Sequence, residues 1–352
     1  MKKVVYIVMT ILIVGIIVFF VWNNINSTEE LTNSKKTITD MIGNTVKIDK
    51  NIERVACQSS TCEAAIISLG KAEVLVGTTD YTDEESFAYD LYGKLKQVQN
   101  LTDDMSVEEM LEKNVQLVIV KDTNKIDKYK TAGLPVVCLD FDTVDGTKPS
   151  IKILGDILGQ EERAENCVNY IERCERIVTE RIKESGVDEF TAYYARAKYE
   201  DSDITTTYAA GHIYSEWIGM SNGKVITADM DLKETKGGVH INGEELILAN
   251  PDHIFVGGYY RNDVLESAKK GKYSNVLEAL ENDSAHIVPT SVTDWSVGCC
   301  ELGLVILWCA KTVYPDLFED IDMVNEVKTF YKDVSGITVS DELAEKILTS
   351  TR

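Results

Sequence analysis

Residues 106–120, SVEEMLEKNVQLVIV, and residues 242–256, NGEELILANPDHIFV, align without a gap at an offset of 136. Paired glutamates, Glu108-Glu109 and Glu244-Glu245, open a short helix in each segment. An asparagine, Asn114 or Asn250, ends it, and a strand follows, Gln116–Val120 or His253–Val256. A chain that carries one helix–turn–strand unit twice is expected to build two similar α/β lobes, and two lobes make a cleft. At 352 residues and 44% hydrophobic content it has the material for two cores.

The formal charge of −22 disfavours nucleic acid and anionic lipid as partners and favours a soluble, monomeric surface. The N-terminus sets a location. Met1-Lys2-Lys3 precedes Val4–Trp22, a run of 19 residues without a charge, just long enough to span a bilayer. Lys2 and Lys3 are expected on the cytoplasmic side, Glu29-Glu30 outside. Residues 1–22 are therefore a membrane anchor or a signal segment. No small-x-small cleavage site follows the apolar core, and no cysteine stands near residue 20, so an uncleaved anchor is the reading adopted. Either way residues 35–352 are exported. Residues 23–36, NNINSTEELTNSKK, read as a polar tether.

The eight cysteines are too sparse for a disulfide scaffold, although an exported chain could oxidise them. Cys167 and Cys174 lie seven positions apart on one helix, about 10 Å along its axis, and cannot pair. With no CxxC, small buried hydrophobes describe these residues better than a metal site.

Alternating β and α segments with short links predict a mostly parallel sheet in residues 37–147. Thr37–Ile48 reads as a hairpin, Arg54–Cys57 as a strand, Cys62–Leu69 as a helix, and Glu73–Gly77 and Gly133–Leu139 as further strands. Residues 148–186 differ. A short helix, Ile151–Leu158, is followed by Glu161–Glu184, without glycine or proline and with one apolar stripe: Ala164, Cys167, Val168, Ile171, Cys174, Val178 and Ile182. Its length of roughly 36 Å makes it a rigid spacer. Residues 187–352 repeat the first lobe's order. Phe190–Ala195 and Lys224–Ile226 flank the helix Ile213–Gly219, and Ala285–Val288, Glu301–Lys311 and two closing helices complete the chain. The expected fold is α/β, with two Rossmann-like lobes joined by a single long interlobe helix and a ligand cleft between them.

In open α/β sheets ligands bind beyond the carboxyl ends of the strands. That rule selects Gln58, Ser59, Ser60, Thr61, Tyr81, Lys121-Asp122 and Asp140 in the first lobe. In the second it selects Arg196, Tyr199, Tyr208, His212, Tyr259, Tyr260 and Trp295. Phenols and indoles stack on flat ligands, and a phenol can ligate ferric iron. The plain alternative is that most are ordinary half-buried residues. His212 opens a helix after Gly211. It could ligate a metal left open by its chelator, or simply cap or pack. His253 and His286 fall on or beside strands and read as structural, and His240 is undecided. Arg196 and Arg261 could pair with an anionic chelate. No GxSxG, HExxH or P-loop occurs, so no enzyme is expected and no cofactor of its own is assigned.

The hairpin TITDMIGNTVKI with Arg54-Val55, the segment GEELILANPDHIFVGG, the helix at 151–184 and the tail DWSVGCCELGLVILWCAKTVYPDLF occur in this order. In that order they resemble the exported substrate-binding proteins of ABC importers for ferric siderophores, haem and cobalamin, over about residues 37–350. The resemblance implies capture of a metal chelate (ferric siderophore, haem or corrinoid) and delivery to a membrane permease and its ATPase. It also implies that Glu108 and Glu244 dock on that permease, although helix-start glutamates complement the macrodipole in any case. Gly298-Cys299-Cys300 stands where relatives often carry proline or serine, which leaves the ligand's identity open. The alternatives are a free metal ion or nickel–amino-acid chelate as ligand, and a membrane-anchored ligand sensor without transport.

Overall fold

A computed structural model describes residues 34–77, 87–98, 105–197, 199–208, 211–230, 232, 234–235 and 238–350. Tyr81, the segment 1–22 and most of the tether at 23–36 lie outside the described residues. Among the described residues no helix is long and apolar enough to cross a membrane.

The chain opens with an antiparallel hairpin, β1 (Lys35–Thr39) and β2 (Thr45–Asp49), turned at Gly43 with φ +81°. β3 (Val55–Cys57) leads into helix α1 (Ser60–Ser68), and a short helix α2 (Phe87–Leu91) follows. Helix α3 (Val107–Glu112) then enters β4 (Leu117–Val120), and α4 (Ile126–Thr131) leads to β5 (Val136–Cys138). These strands form a parallel sheet in the order β3-β4-β5. Every residue of β4 is buried, as a central strand covered on both faces requires. The strand expected at Glu73–Gly77 is not continuous. Ala72–Val74 forms a 3₁₀ turn and only Leu75 bridges to Val55, because a single ladder step, Val76 N–H to the Val55 carbonyl, is made before the chain leaves the sheet.

Helix α5 (Val144–Leu158) starts a full turn and more before the expected Ile151. Thr143 caps it through the Gly146 N–H, and Pro149 is accommodated inside it. Gly159, at φ +63°, ends it, and α6 (Glu161–Ser185) runs for 25 residues. The predicted stripe is the buried face of α6, except that Ile182 is only partly covered. Arg181 holds Asp320 through both guanidinium nitrogens, at 2.5 and 2.8 Å, and Arg173 pairs with Glu326. The long helix is thus stapled to the C-terminal segment rather than standing free between lobes.

The second lobe contains β6 (Phe190–Arg196), β7 (Thr206–Thr207), α7 (Ile213–Met220), β8 (Gly223–Val225), β9 (Glu234–Thr235) and β10 (Gly238–His240). It continues with α8 (Gly243–Ala249), β11 (His253–Gly257), α9 (Arg261–Lys270), α10 (Glu278–Glu281) and β12 (Ala285–Ile287). Its parallel sheet has the order β12-β11-β6-β8, and β7-β10-β9 form a small antiparallel sheet. Helices α11 (Leu302–Val313), α12 (Met323–Phe330) and α13 (Asp341–Thr349) close the chain.

One apolar cluster runs through both lobes, from Ile66 of α1 through Cys167 of α6 to Trp217 of α7 and Leu304 of α11. Within it Glu301 is fully buried. One carboxyl oxygen accepts from Ser68 of the first lobe at 3.4 Å and from Ser291 and Tyr331 at 3.3 and 3.2 Å. Burial raises its pKa. A shared core and a shared polar network leave little room for independent lobe motion. All eight cysteines are buried and unpaired.

Candidate functional site

The carboxyl ends of the strands in the two sheets converge on one cleft of about 380 Å³. Gln58, Ser59, Ser60, Thr61, Lys121, Asp122, Phe141 and Asp142 line it from the first lobe, and Arg196, Tyr208, His212, Val297 and Gly298 from the second. β3 delivers Gln58 to Thr61. Gln58 N–H continues the ladder to the Ile119 carbonyl at 2.9 Å, and its side-chain oxygen accepts from Tyr129 at 2.7 Å. Ser59 is the N-cap residue of α1, yet its side chain makes no capping bond. β4 ends at Lys121, whose ammonium meets Asp142 at 2.6 Å.

Across the cleft β6 ends at Arg196. Its guanidinium lies 4.4 Å from the centre of the Tyr208 ring. Tyr208 in turn stacks on His212, and Tyr194 on Tyr214 with 4.6 Å between centroids. Burial pushes the Tyr208 phenol up to about 12. Burial, then the Lys121 charge, brings His212 down to about 4, so its imidazole is neutral near pH 7. Nε of Arg196 and Nδ1 of His212 are buried and make no hydrogen bond. Buried donors and acceptors are normally satisfied, so two orphans in one cleft mark where a polar ligand would be held.

Of the residues expected at the site, Gln58, Ser59, Ser60, Arg196, Tyr208 and His212 are brought together. Trp295 is not. It is 1% exposed, and its indole N–H donates to Ser291 at 2.7 Å, under the cleft loop. Tyr259 and Tyr260 are exposed and do not line the cleft, because the turn after β11 carries them outward. Arg261 is buried and donates to the Val288 carbonyl at 2.9 Å, with Asp294 at 3.7 Å, so it is not available to an anionic chelate. Asp140 orders its own loop by accepting from Asp142 N–H and Thr143. His253 and His286 hydrogen-bond each other at 3.0 Å across β11 and β12. Phe141, Asp142, Val297 and Gly298 were not anticipated. Gly298 has a physical signature: a Cβ there would stand 2.0 Å from the Phe141 carbonyl oxygen. Among the described residues no group of three or more histidine, cysteine or carboxylate side chains could hold a bare metal ion.

The repeated units superpose in kind. Ser106 caps α3 and forms a reciprocal box with Glu109, Asn242 caps α8, and Asn114 and Asn250 end the helices at φ +52° and +36°. Glu109 is engaged in its box, which leaves Glu108 as the outward carboxylate. Both Glu108 and Glu244 are exposed.

Residues 55–285 match the model of a protein family described as periplasmic binding protein. The chain belongs to the periplasmic binding protein family. The molybdate-binding protein MolA of Haemophilus influenzae is 21% identical over 189 residues, 53% of this chain and 51% of that protein. The iron(3+)-hydroxamate-binding protein YxeB of Bacillus subtilis is 28% identical over 92 residues, 26% and 27% of the two chains. The chain thus aligns with about half the length, or less, of the curated relatives it matches. The crystal structure of a periplasmic solute-binding protein from Veillonella parvula shares the fold, with a TM-score of 0.73 and 21% identity over 90% of this chain and 97% of that one. This periplasmic binding protein therefore has the two-lobe fold expected from its repeat, with the cleft where that fold places its strand ends.

Proposed function

We propose that this chain is the extracellular solute-binding component of an ABC importer, and that its cleft captures a small anionic metal chelate for delivery to a membrane permease and its ATPase. The observation that carries the reading is the convergence of Arg196 and His212, each with a buried unpartnered nitrogen, on a cleft walled by both lobes. Arg196 supplies a planar cation for the chelate's anionic groups. Neutral His212 offers a nitrogen to a metal whose chelator leaves a position open. The serines of the Gln58–Thr61 loop and the Tyr208 phenol supply hydrogen bonds. About 380 Å³ is at the small end of ligand pockets and suits a ferric hydroxamate or a nickel–amino-acid chelate better than haem or a corrinoid. The apolar run Val4–Trp22 would hold the protein at the outer face of the cell membrane.

A tetrahedral oxyanion is a second reading. It is favoured by Lys121 and Arg196 on opposite walls and by the uncapped start of α1 at Ser59-Ser60. Purified residues 35–352 would be titrated with a ferric hydroxamate, nickel–histidine, haem, cobalamin and molybdate, followed by absorbance and native mass. Retention of a ferric or nickel chelate, with a metal absorption band that depends on His212, supports the first reading. Retention of molybdate alone supports the second, and retention of none defeats both.

A further inference from the structure

We infer that the permease is gripped by two feet of like geometry and unlike strength: a glutamate and an aliphatic residue on each lobe, with Leu248 adding an apolar plug on the second lobe alone. The inference rests on the transport reading above. Helices α3 and α8 each turn back through an asparagine into β4 and β11, so their first turns lie level with the carboxyl ends of those strands, the end that lines the cleft. In α3, Met110 is fully buried and anchors the helix; in α8, Leu246 does the same. Three residues after each outward glutamate, on the same helical face, stands an exposed aliphatic side chain. Leu111 is 50% exposed and Ile247 37%. Helix α8 adds Leu248, 87% exposed, where the repeat places Glu112 in α3. Leu248 borders a surface depression of about 370 Å³ with Met230, Leu232, Glu245 and Ala249.

Three of the eight large apolar side chains exposed among the described residues therefore sit on these two short helices. Clustering of that kind marks an interaction surface. Five glutamates share the helices with them: Glu108, Glu109 and Glu112, and Glu244 and Glu245. An acidic rim on a chain of charge −22 repels an anionic lipid surface and a second copy of the same chain. It fits a protein surface that offers basic and aliphatic groups twice, once to each lobe. A permease with two like halves presents such a surface. The replacement of Glu112 by Leu248 across the repeat makes the second-lobe foot the tighter one.

The test uses the full chain and the permease–ATPase complex in nanodiscs. Leu111→Cys, Leu248→Cys and, as an exposed control away from both helices, Val276→Cys are each labelled with a benzophenone maleimide. The eight native cysteines are buried, so the introduced thiol takes the label. Irradiation is expected to join positions 111 and 248, and not 276, to a permease subunit. Leu248→Ser is expected to weaken binding to the complex roughly tenfold, and Leu111→Ser about threefold. If Glu108→Lys and Glu244→Lys abolish binding while neither label reaches the permease, docking stands and the apolar feet fall. Equal losses for the two serine variants overturn the unequal grip. Cross-links to a second copy of the chain or to lipid overturn the assignment of partner. A parent chain that does not bind the complex defeats the transport reading and this inference together.

Discussion

His212 stacks on Tyr208 with ring centroids 4.0 Å apart and planes within 21°. The same phenol ring carries the Arg196 guanidinium 4.4 Å from its centre. One tyrosine therefore orients both side chains whose buried nitrogens lack a protein partner.

Arg196→Met is expected to cost an anionic ligand about tenfold to a hundredfold in affinity, the value of a hydrogen bond to a charged group. His212→Ala is expected to cost severalfold and to remove any metal band that depends on the imidazole. Tyr208→Ala should weaken both contributions at once by freeing the two side chains. Titration of the three variants with a ferric hydroxamate, nickel–histidine and molybdate checks this. Parent-like affinity in all three would rule the cleft out.

Stability should fall as pH drops from 7 to 5. Burial lowers His212 and His286 to about 4 from an ordinary value of 6.5. Below pH 6.5 the unfolded chain binds protons that the folded chain refuses, so acid favours unfolding until the folded pKa is reached. At pH 5 each histidine removes about 2 kcal/mol. Urea denaturation of His286→Gln and His212→Gln should show a shallower pH slope between 7 and 5. That window lies above the titration of the carboxylates. An unchanged slope in the double variant would refute the assignment.

Trp295→Ala should behave as a core variant. The indole is fully buried and satisfies Ser291, which in turn donates to Glu301. Its loss should cost on the order of 3–5 kcal/mol of stability. Chemical denaturation measures that cost. Ligand affinity per folded molecule is expected to change far less than in Arg196→Met.

Glu108→Lys or Glu244→Lys should lower uptake by cells while ligand affinity and thermal stability stay near those of the parent. Exposed charges on a rim act on the partner and not on the cleft. Loss of ligand affinity in either variant would place that carboxylate in the site or the fold instead.

Much of the architecture was legible because it depends on local periodicity. The stripe from Ala164 to Val178 has the helical repeat and is the face that is buried. The Gly43-Asn44 turn brings β1 and β2 into register, Thr39 opposite Thr45. Where distant neighbours decide, the reading failed. Glu73–Gly77 has the composition of a strand, yet only Leu75 finds a bridging partner. Pro149 reads as a barrier, yet α5 continues through it from a Thr143 cap.

The sequence by itself determined that two like α/β lobes exist, that a long helix joins them and which loops meet at the strand ends. Each follows from a short-range pattern that repeats along the chain. Only the tertiary structure decided which loop residues face the ligand. Tyr208 and Trp295 are both aromatic residues on second-lobe loops. Tyr208 lines the cleft because Arg196 and His212 pack on its ring. Trp295 is buried because Ser291 and the interlobe core close over it. Arg196 and Arg261 divide in the same way, one lacking a partner at Nε and the other held by the Val288 carbonyl. These choices depend on contacts between residues far apart in the chain, and no local pattern records them.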